Sequence, residues 1–188
     1  MIIARSLRLC ACLLLVAAPC LAAAIAPVSI TPLETPPDGY AESIMMVNDR
    51  GEVAGGAWAG LYWSPALEMT ILPPFGDGLS VVPDALNERG QVAGSALVED
   101  PSSAPHYQLY LWSAADGLVS PGVLPGGEWI HVADMNNNGA IVGSSDDPSG
   151  PSAFGSSGFL WTREGGFEVL SLPANGLEGY PSAINDSS

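Results

Sequence analysis

Three side chains in one short segment of the sequence are of types that bind ligands or transfer protons. Trp129 offers an indole that can stack on a ligand, His131 can exchange a proton near neutral pH, and Asp134 can accept hydrogen bonds or bind a cation. Side chains alternate along a regular strand, so His131 would share a face with Trp129, and Asp134 would point the other way. We predict that these three residues bind ligand, with Asp134 either buried beside a partner or lining a central opening.

Calcium binding is a second kind of chemistry that this region could support. The spacing of Asp134, Asn136 and Asn138 matches the start of the EF-hand loop, in which side-chain oxygens surround the ion. The glutamate that closes such a loop is replaced by Ser145. The candidate metal ligands are Asp134, Asn136, Asn138, Asp146 and Asp147. The alternative is that the asparagines are turn residues and that no cofactor is bound.

Established catalytic motifs are absent from the sequence. It contains no Gly-x-Ser-x-Gly nucleophile elbow, no phosphate-binding loop followed by lysine, and no His-Glu-x-x-His. Asp84 and Asp134 are a carboxylate pair of the kind that hydrolyses glycosidic bonds. Their places in the repeat described below differ by one, which puts them on opposite faces of regular strands. We therefore predict no catalytic residues, and keep a secreted polysaccharide hydrolase as the alternative.

The candidate residues are carried by copies of one repeated unit. Four asparagines, each nine residues after a glycine, mark the copies: Asn48, Asn87, Asn136 and Asn185. Three tryptophans recur in phase with them: Trp63, Trp112 and Trp161. Self-similarity at about 40 to 50 residues indicates propeller blades or solenoid units. Because the tryptophans hold the same place in every copy, we expect them in the core.

Each copy contains the pattern of about four strands. Asparagine suits the first position of a type I turn and glycine the left-handed position after it, which predicts a β-hairpin around each asparagine. A second pair of short apolar runs follows, separated by turn residues. The predicted fold is all-β, an incomplete β-propeller or propeller-like array of about three full blades. The predicted units are 34–72, 73–121, 122–170 and a partial 171–188, with partial strands at Val28–Leu33 and Pro181–Asn185.

Several motifs of the repeat occur together in one known family. They are the turn that follows Ala183–Ile184, the Gly-x-Val-x-Gly strand, and Phe159–Trp161 with a Leu-Pro-Gly-rich spacer. Over about residues 28–188 the chain resembles the HAF-type extracellular repeats. The name-giving His-Ala-Phe triplet is replaced here by Leu109–Tyr110 and Gly158–Phe159. The resemblance implies a bacterial exported protein without assigned catalysis; the sorting segment common at the C-terminus of this family is not seen here, so surface anchoring is not carried over.

The first 24 residues have the pattern of a secretory signal peptide. Arg5 and Arg8 precede the apolar run Leu9–Ala18, and the small residues Ala22–Ala24 follow. We predict cleavage after Ala24, leaving residues 25–188 as a single repeat domain that is secreted or extracellular, with the periplasm as the alternative. All three cysteines lie in the predicted signal, so no disulfide is expected in the exported chain.

Net charge restricts the partners of residues 25–188. All 20 acidic residues lie in this range, but only three of the five basic ones do, Arg50, Arg89 and Arg163, so the net charge is 3 − 20 = −17. Such a surface repels nucleic-acid backbones and anionic lipid, so we expect neither nucleic acid nor membrane as a partner. Glycan or protein ligands stay open, as does self-association through exposed edge strands. We predict a binding or structural module, a fragment of a longer array, with a calcium-dependent adhesion module as another alternative.

Overall fold

The computed structural model describes residues 44–56, 59–75, 81–99, 104–146, 155–170 and 180–187, and these form twelve β-strands. Sheet I consists of β1 (Ile44–Val47), β2 (Val53–Gly56), β3 (Gly60–Ser64) and β4 (Glu68–Ile71). Sheet II consists of β5 (Val81–Leu86), β6 (Val92–Val98), β7 (His106–Ser113) and β8 (Gly117–Gly122). Sheet III consists of β9 (Ile130–Met135), β10 (Ile141–Asp146), β11 (Ser156–Thr162) and β12 (Gly166–Val169).

Each sheet is an antiparallel meander in which consecutive strands are neighbours. The prediction of an all-β chain built from four-stranded repeats is therefore confirmed, and the described ranges contain no helix that could cross a membrane. None of the three sheets closes on itself. The predicted signal peptide and the predicted strand Val28–Leu33 lie outside the described residues.

The hairpin that opens each sheet has the predicted turn. The asparagine carbonyl accepts a hydrogen bond from the glycine amide three residues later, as from Gly51 to Asn48 at 3.0 Å and from Gly90 to Asn87 at 3.1 Å. Gly51 and Gly90 have φ of 74° and 72°, in the left-handed region that favours glycine. The asparagine and glycine of the repeat are thus explained by the backbone of a tight hairpin.

The first strand of every sheet also contains a β-bulge, always three residues before the asparagine. The bulged residues are Met45, Asp84 and Ala133, each of which is skipped in the pairing with the second strand. The bulge in β9 accompanies a close approach of the His131 carbonyl to Gly143 in β10, where a Cβ would collide with the carbonyl oxygen. The second glycine of the Gly-x-Val-x-Gly pattern is therefore needed for this close approach.

Two hydrophobic clusters hold consecutive sheets together. The cluster between sheets I and II contains Ala54, Tyr62, Leu72, Val81, Val92, Ala96, Tyr110 and Trp112. The cluster between sheets II and III contains Ala85, Ala93, Leu109, Leu111, Leu124, Ile130, Val132, Met135, Ile141, Phe159 and Trp161. Each fully buried large side chain contributes about 1.5–3 kcal/mol. Trp112 and Trp161 are core as predicted, whereas Trp63 is only partly buried.

The asparagine side chains join one repeat to the next. The Nδ2 of Asn48 donates to the carbonyl of Asn87 at 3.0 Å, that of Asn87 to Asn136 at 3.0 Å, and that of Asn136 to Asn185 at 2.9 Å. The first three asparagines are buried. We call this chain of side-chain to backbone bonds the asparagine ladder.

The predicted strand Pro181–Asn185 is wrong, because the structure has no strand there. A strand needs a paired neighbour, and no neighbouring strand pairs with this segment within the described part of the chain. The turn itself still forms, since the Ser187 amide donates to the Asn185 side chain at 3.0 Å. The fourth copy of the repeat is thus present as a turn attached to the asparagine ladder.

Tyr110 provides a test of the core. Its buried hydroxyl has no hydrogen-bond partner among the described residues, and burial raises the pKa of this phenol. The same place in the next repeat is occupied by Phe159. Tyr110→Phe removes the unpaired polar group, so we expect the free energy of unfolding to rise by about 1 kcal/mol. Urea unfolding followed by circular dichroism measures the change.

Tyr62→Phe is the matched control. The Tyr62 hydroxyl donates to Glu52, so the same chemical change there should lower the free energy of unfolding. Equal destabilisation by both substitutions would show that the Tyr110 hydroxyl has a partner.

Candidate functional site

Trp129, which precedes β9, is an exposed tryptophan in a region where the tryptophans of the repeat are buried or half-buried. Its side chain is 44% exposed, compared with 6% for the repeat tryptophans Trp112 and Trp161. The His131 ring stacks beside it, with ring centroids 6.3 Å apart and planes 12° apart. The prediction that Trp129 and His131 share a face is therefore confirmed. Together they form a flat, accessible aromatic surface, which we call the Trp129 surface.

Asp146, at the end of β10, fixes the backbone that presents Trp129. Its carboxylate accepts hydrogen bonds from the amides of Glu128 at 2.9 Å and of Trp129 at 2.7 Å. The Ser145 hydroxyl donates to the Trp129 carbonyl at 2.8 Å. A Cβ on Gly127 would lie 2.6 Å from the Asp146 carbonyl oxygen, so this approach requires glycine. These hydrogen bonds fix the backbone that carries the exposed indole.

The prediction that His131 and Asp134 point to opposite faces is wrong. Ile130, Val132 and Met135 all belong to the cluster between sheets II and III, although the last two are three residues apart. The bulge at Ala133 causes this spacing, because an extra residue in the strand resets the alternation. His131 and Asp134 therefore both lie on the face turned away from that cluster. The same argument against pairing Asp84 with Asp134 also fails, since Asp84 is itself a bulged residue.

Asp134 is engaged with the fourth copy of the repeat. Its Oδ1 accepts from the Met135 amide at 2.8 Å, and its Oδ2 accepts from the Ile184 amide at 2.9 Å. Of the two predicted environments for Asp134, the structure thus gives the partnered one, with a half-buried side chain. This carboxylate attaches the fourth turn to sheet III, whereas Trp129 and His131 contact each other.

Three of the side chains predicted to bind calcium, those of Asp134, Asn136 and Asp146, accept hydrogen bonds from the backbone. The Asn136 Oδ1 accepts from the amides of Asn138 and Ala140, at 2.9 and 3.0 Å. The Asn138 side chain donates its amide to the Asp186 carbonyl at 3.1 Å. Asp147 lies outside the described residues, and those described include no group of three or more His, Cys, Asp or Glu placed to hold a metal ion. Calcium binding stays a prediction.

Asp84 is the titratable group that the sequence reasoning set aside. Burial raises the pKa of this carboxyl from 3.8 to about 6, while the charge of His131 and a hydrogen bond from the Ser95 backbone act in the opposite direction. The bulge brings Asp84 within the electrostatic reach of His131 in the next sheet. A signal was available in the sequence, because the same position holds Met45 and Ala133 in the other copies. An acid among small or apolar residues is not required by the repeat.

The structure therefore places the Trp129 and His131 rings in contact. Asp84 is near enough to His131 for their charges to interact. A stacked aromatic surface beside a carboxyl can bind a ligand that has both an apolar face and hydrogen-bonding groups. No protein-family model, curated protein or solved structure matches this chain. The interpretation of the surface consequently depends on its own geometry.

The raised pKa of Asp84 predicts how stability changes with pH. The folded state favours the protonated carboxyl. Its contribution to the free energy of unfolding is therefore complete below pH 3.8 and is lost as pH rises through about 6. Asp84→Asn lacks this titration. The compared quantity is the free energy of unfolding of the variant minus that of the parent protein. We expect this difference to increase by up to about 3 kcal/mol from pH 4 to pH 7, because the parent loses stability over that range.

Urea unfolding at several pH values measures this difference. Groups that titrate equally in both proteins cancel in the subtraction, including Asp186, whose pKa is lowered by hydrogen bonds from Asn137. A difference that stays constant from pH 4 to pH 7 would contradict the assignment.

Proposed function

We propose that the protein is an exported binding module, built as a propeller-like array of blades, that binds a neutral glycan on the Trp129 surface. The single observation that carries the binding role is the exposed indole of Trp129, stacked on His131 and fixed by Asp146. Trp129 differs in this from Trp112 and Trp161, which are 6% exposed and belong to the two hydrophobic clusters.

The contacts between sheets support a propeller-like arrangement. The main contacts between neighbouring sheets all involve β5 or β9, the first strands of sheets II and III. The asparagine ladder connects the turns that follow these first strands. In a propeller, the first strands of the blades converge around a central axis, and the blades pack face to face. Sheets related in this way fit consecutive blades of one array.

The chemistry of the surface favours a glycan. The C–H face of a pyranose ring is apolar and packs on an aromatic plane, while its hydroxyl groups donate hydrogen bonds to carboxylates. The net charge of −17 over residues 25–188, from 3 − 20, would repel an anionic polysaccharide. A neutral sugar chain is therefore the ligand class that fits both properties.

Export is part of the same proposal. The signal pattern in residues 1–24 and the resemblance to HAF-type extracellular repeats support it. A binding role outside the cytoplasm also agrees with the absence of cysteine from residues 25–188, because no thiol there would be exposed to oxidation.

Trp129→Ala tests the glycan proposal. Removing the indole should weaken binding of a neutral oligosaccharide identified on a glycan array by at least roughly tenfold, which is about 1.4 kcal/mol. The control is Met45→Ala, which removes another exposed large apolar side chain, 58% exposed, from sheet I. Binding by Met45→Ala should equal that of the parent protein.

The same assay separates the competing functions. Failure of every neutral glycan to bind, or equal binding by the two variants, would contradict the proposal. Release of shorter sugars would favour a hydrolase that uses Asp84 as its acid. Loss of binding in the presence of a chelator would favour the calcium-dependent adhesion module.

A further inference from the structure

A cleft of about 440 Å³ lies between sheets I and II, at the end of the sheets that carries the asparagine turns. It is bordered by the hairpin turns β1–β2 and β3–β4 of sheet I and by β5–β6 and β7–β8 of sheet II. The Trp129 surface is at the opposite end, because Trp129 precedes β9 and the asparagine turn follows it. We call this feature the arginine cleft, for Arg50 and Arg89 in its wall.

Two buried residues of the cleft depart from the repeat. Where Glu52 stands, the other copies have Gln91 and Ala140. Where Tyr62 stands, the other copies have leucines, Leu111 and Leu160. Glu52 is 4% exposed and Tyr62 is 3% exposed. Gln91 accepts the same hydrogen bond from Asn87, at 2.8 Å, that Glu52 accepts from Asn48, so the repeat explains an acceptor at this place. It explains neither the negative charge of Glu52 nor the hydroxyl of Tyr62.

Glu52 holds one of the arginines of the cleft, Arg50. Its carboxylate accepts hydrogen bonds from the Asn48 side chain at 2.7 Å, from Arg50 at 2.8 Å and from the Tyr62 hydroxyl. Burial, and then the hydrogen bond to Glu52, raise the pKa of Tyr62, so its phenol stays a donor. Arg50 also donates to the Glu88 carbonyl at 3.1 Å. Two hydrogen bonds therefore hold the Arg50 guanidinium in place. Its other N–H groups are available to donate to a ligand.

All three arginines of residues 25–188 lie at or beside the cleft, whose lining also includes the acidic residues Glu52 and Asp116. Arg50 and Arg89 occupy the same position of neighbouring turns, and both line the cleft. Arg163 lies beside it, in an ion pair of 3.0 Å with the lining residue Asp116. These three arginines are all the arginine and lysine of residues 25–188. An otherwise strongly acidic chain thus places all its arginines around one cleft.

One part of the remaining wall of the cleft is apolar. Leu67 and Ala66, from the β3–β4 turn, face Ala114 and Ala115, from the β7–β8 turn. Leu67 is 45% exposed. A ligand that fits this cleft would combine an anionic group with an apolar body.

We propose that the arginine cleft binds a small organic carboxylate. The carboxylate lies between Arg50 and Arg89, because a guanidinium donates two parallel hydrogen bonds to a carboxylate. The apolar body lies along Leu67 and the alanines. Inorganic phosphate offers no apolar surface to this wall, so it fits less well. This binding site is separate from the Trp129 surface and does not depend on the glycan proposal.

Titration of the full chain with hexanoate, followed by NMR shifts of backbone amides, tests the proposal. We expect saturable binding in the millimolar range, with shifts at Gly90, Leu67 and Ala115. The uncharged 1-hexanol and inorganic phosphate should each bind at least roughly fivefold more weakly than hexanoate. Hexanol lacks the carboxylate, and phosphate lacks the apolar body.

Two variants and one control locate the site. Arg89→Gln removes an exposed guanidinium and should weaken hexanoate binding roughly fivefold. Ala115→Phe should fill the cleft and abolish binding while leaving the buried clusters intact. Asn138→Asp is the matched control, because it makes the same charge change at the same repeat position in the third turn. It should bind as the parent protein does.

The outcomes decide the proposal. Weaker binding by Arg89→Gln and Ala115→Phe with unchanged binding by Asn138→Asp supports it. No saturable hexanoate binding overturns it. Equal affinity for hexanoate and 1-hexanol, equal affinity for hexanoate and phosphate, or equal weakening by Arg89→Gln and Asn138→Asp also overturns it, because the cleft would then not recognise a carboxylate joined to an apolar body.

Discussion

In each of the first three asparagine turns, one buried amide side chain holds its own hairpin and the next repeat at the same time. The Asn87 Oδ1 accepts from the Arg89 and Gln91 amides at 3.0 Å each, which fixes its own turn. Its Nδ2 donates to the Asn136 carbonyl in the next turn. No shorter or purely donating side chain can fill both roles. The asparagine therefore sets the distance between neighbouring turns, and the sheets pack at that spacing.

A second series of bonds follows the asparagine ladder at the next position. The Asp49 amide donates to the Glu88 carboxylate at 3.0 Å, the Glu88 amide to the Asn137 side chain at 2.8 Å, and the Asn137 amide to Asp186 at 2.8 Å. This explains why that position always carries an oxygen acceptor. With the turns joined, the first strands lie close together, and the two apolar clusters form between the sheets. The residues free to vary for function are those outside these bonds, such as Trp129 and Tyr62.

The repeat, the hairpins and the four strands of each sheet could be predicted, because asparagine, glycine and alternating apolar residues express local backbone requirements. The bulge could not, since it adds one residue to a strand without any special residue type, as Met45 and Ala133 show. For the same reason the expected orientation of Asp134 was wrong. The hydrogen bonds of Asp146 were also hidden, because they join segments that are far apart in the chain. Glu52 is detectable in the sequence as the only acidic residue at its place, where the other copies have Gln91 and Ala140.

The most direct test of the ladder is the free energy of unfolding of Asn87→Asp. The substitution keeps the side-chain acceptor of the turn but replaces the donor to Asn136 by a buried oxygen that faces a carbonyl. Asn138→Asp makes the same chemical change at an exposed hydrogen bond, from Asn138 to the Asp186 carbonyl, which water can replace, and serves as the reference. If the asparagine ladder holds the repeats together, Asn87→Asp should lose about 2–4 kcal/mol more than Asn138→Asp in urea unfolding. Losses that agree within about 0.5 kcal/mol would contradict this account, because they would show that the sheets stay together without the ladder.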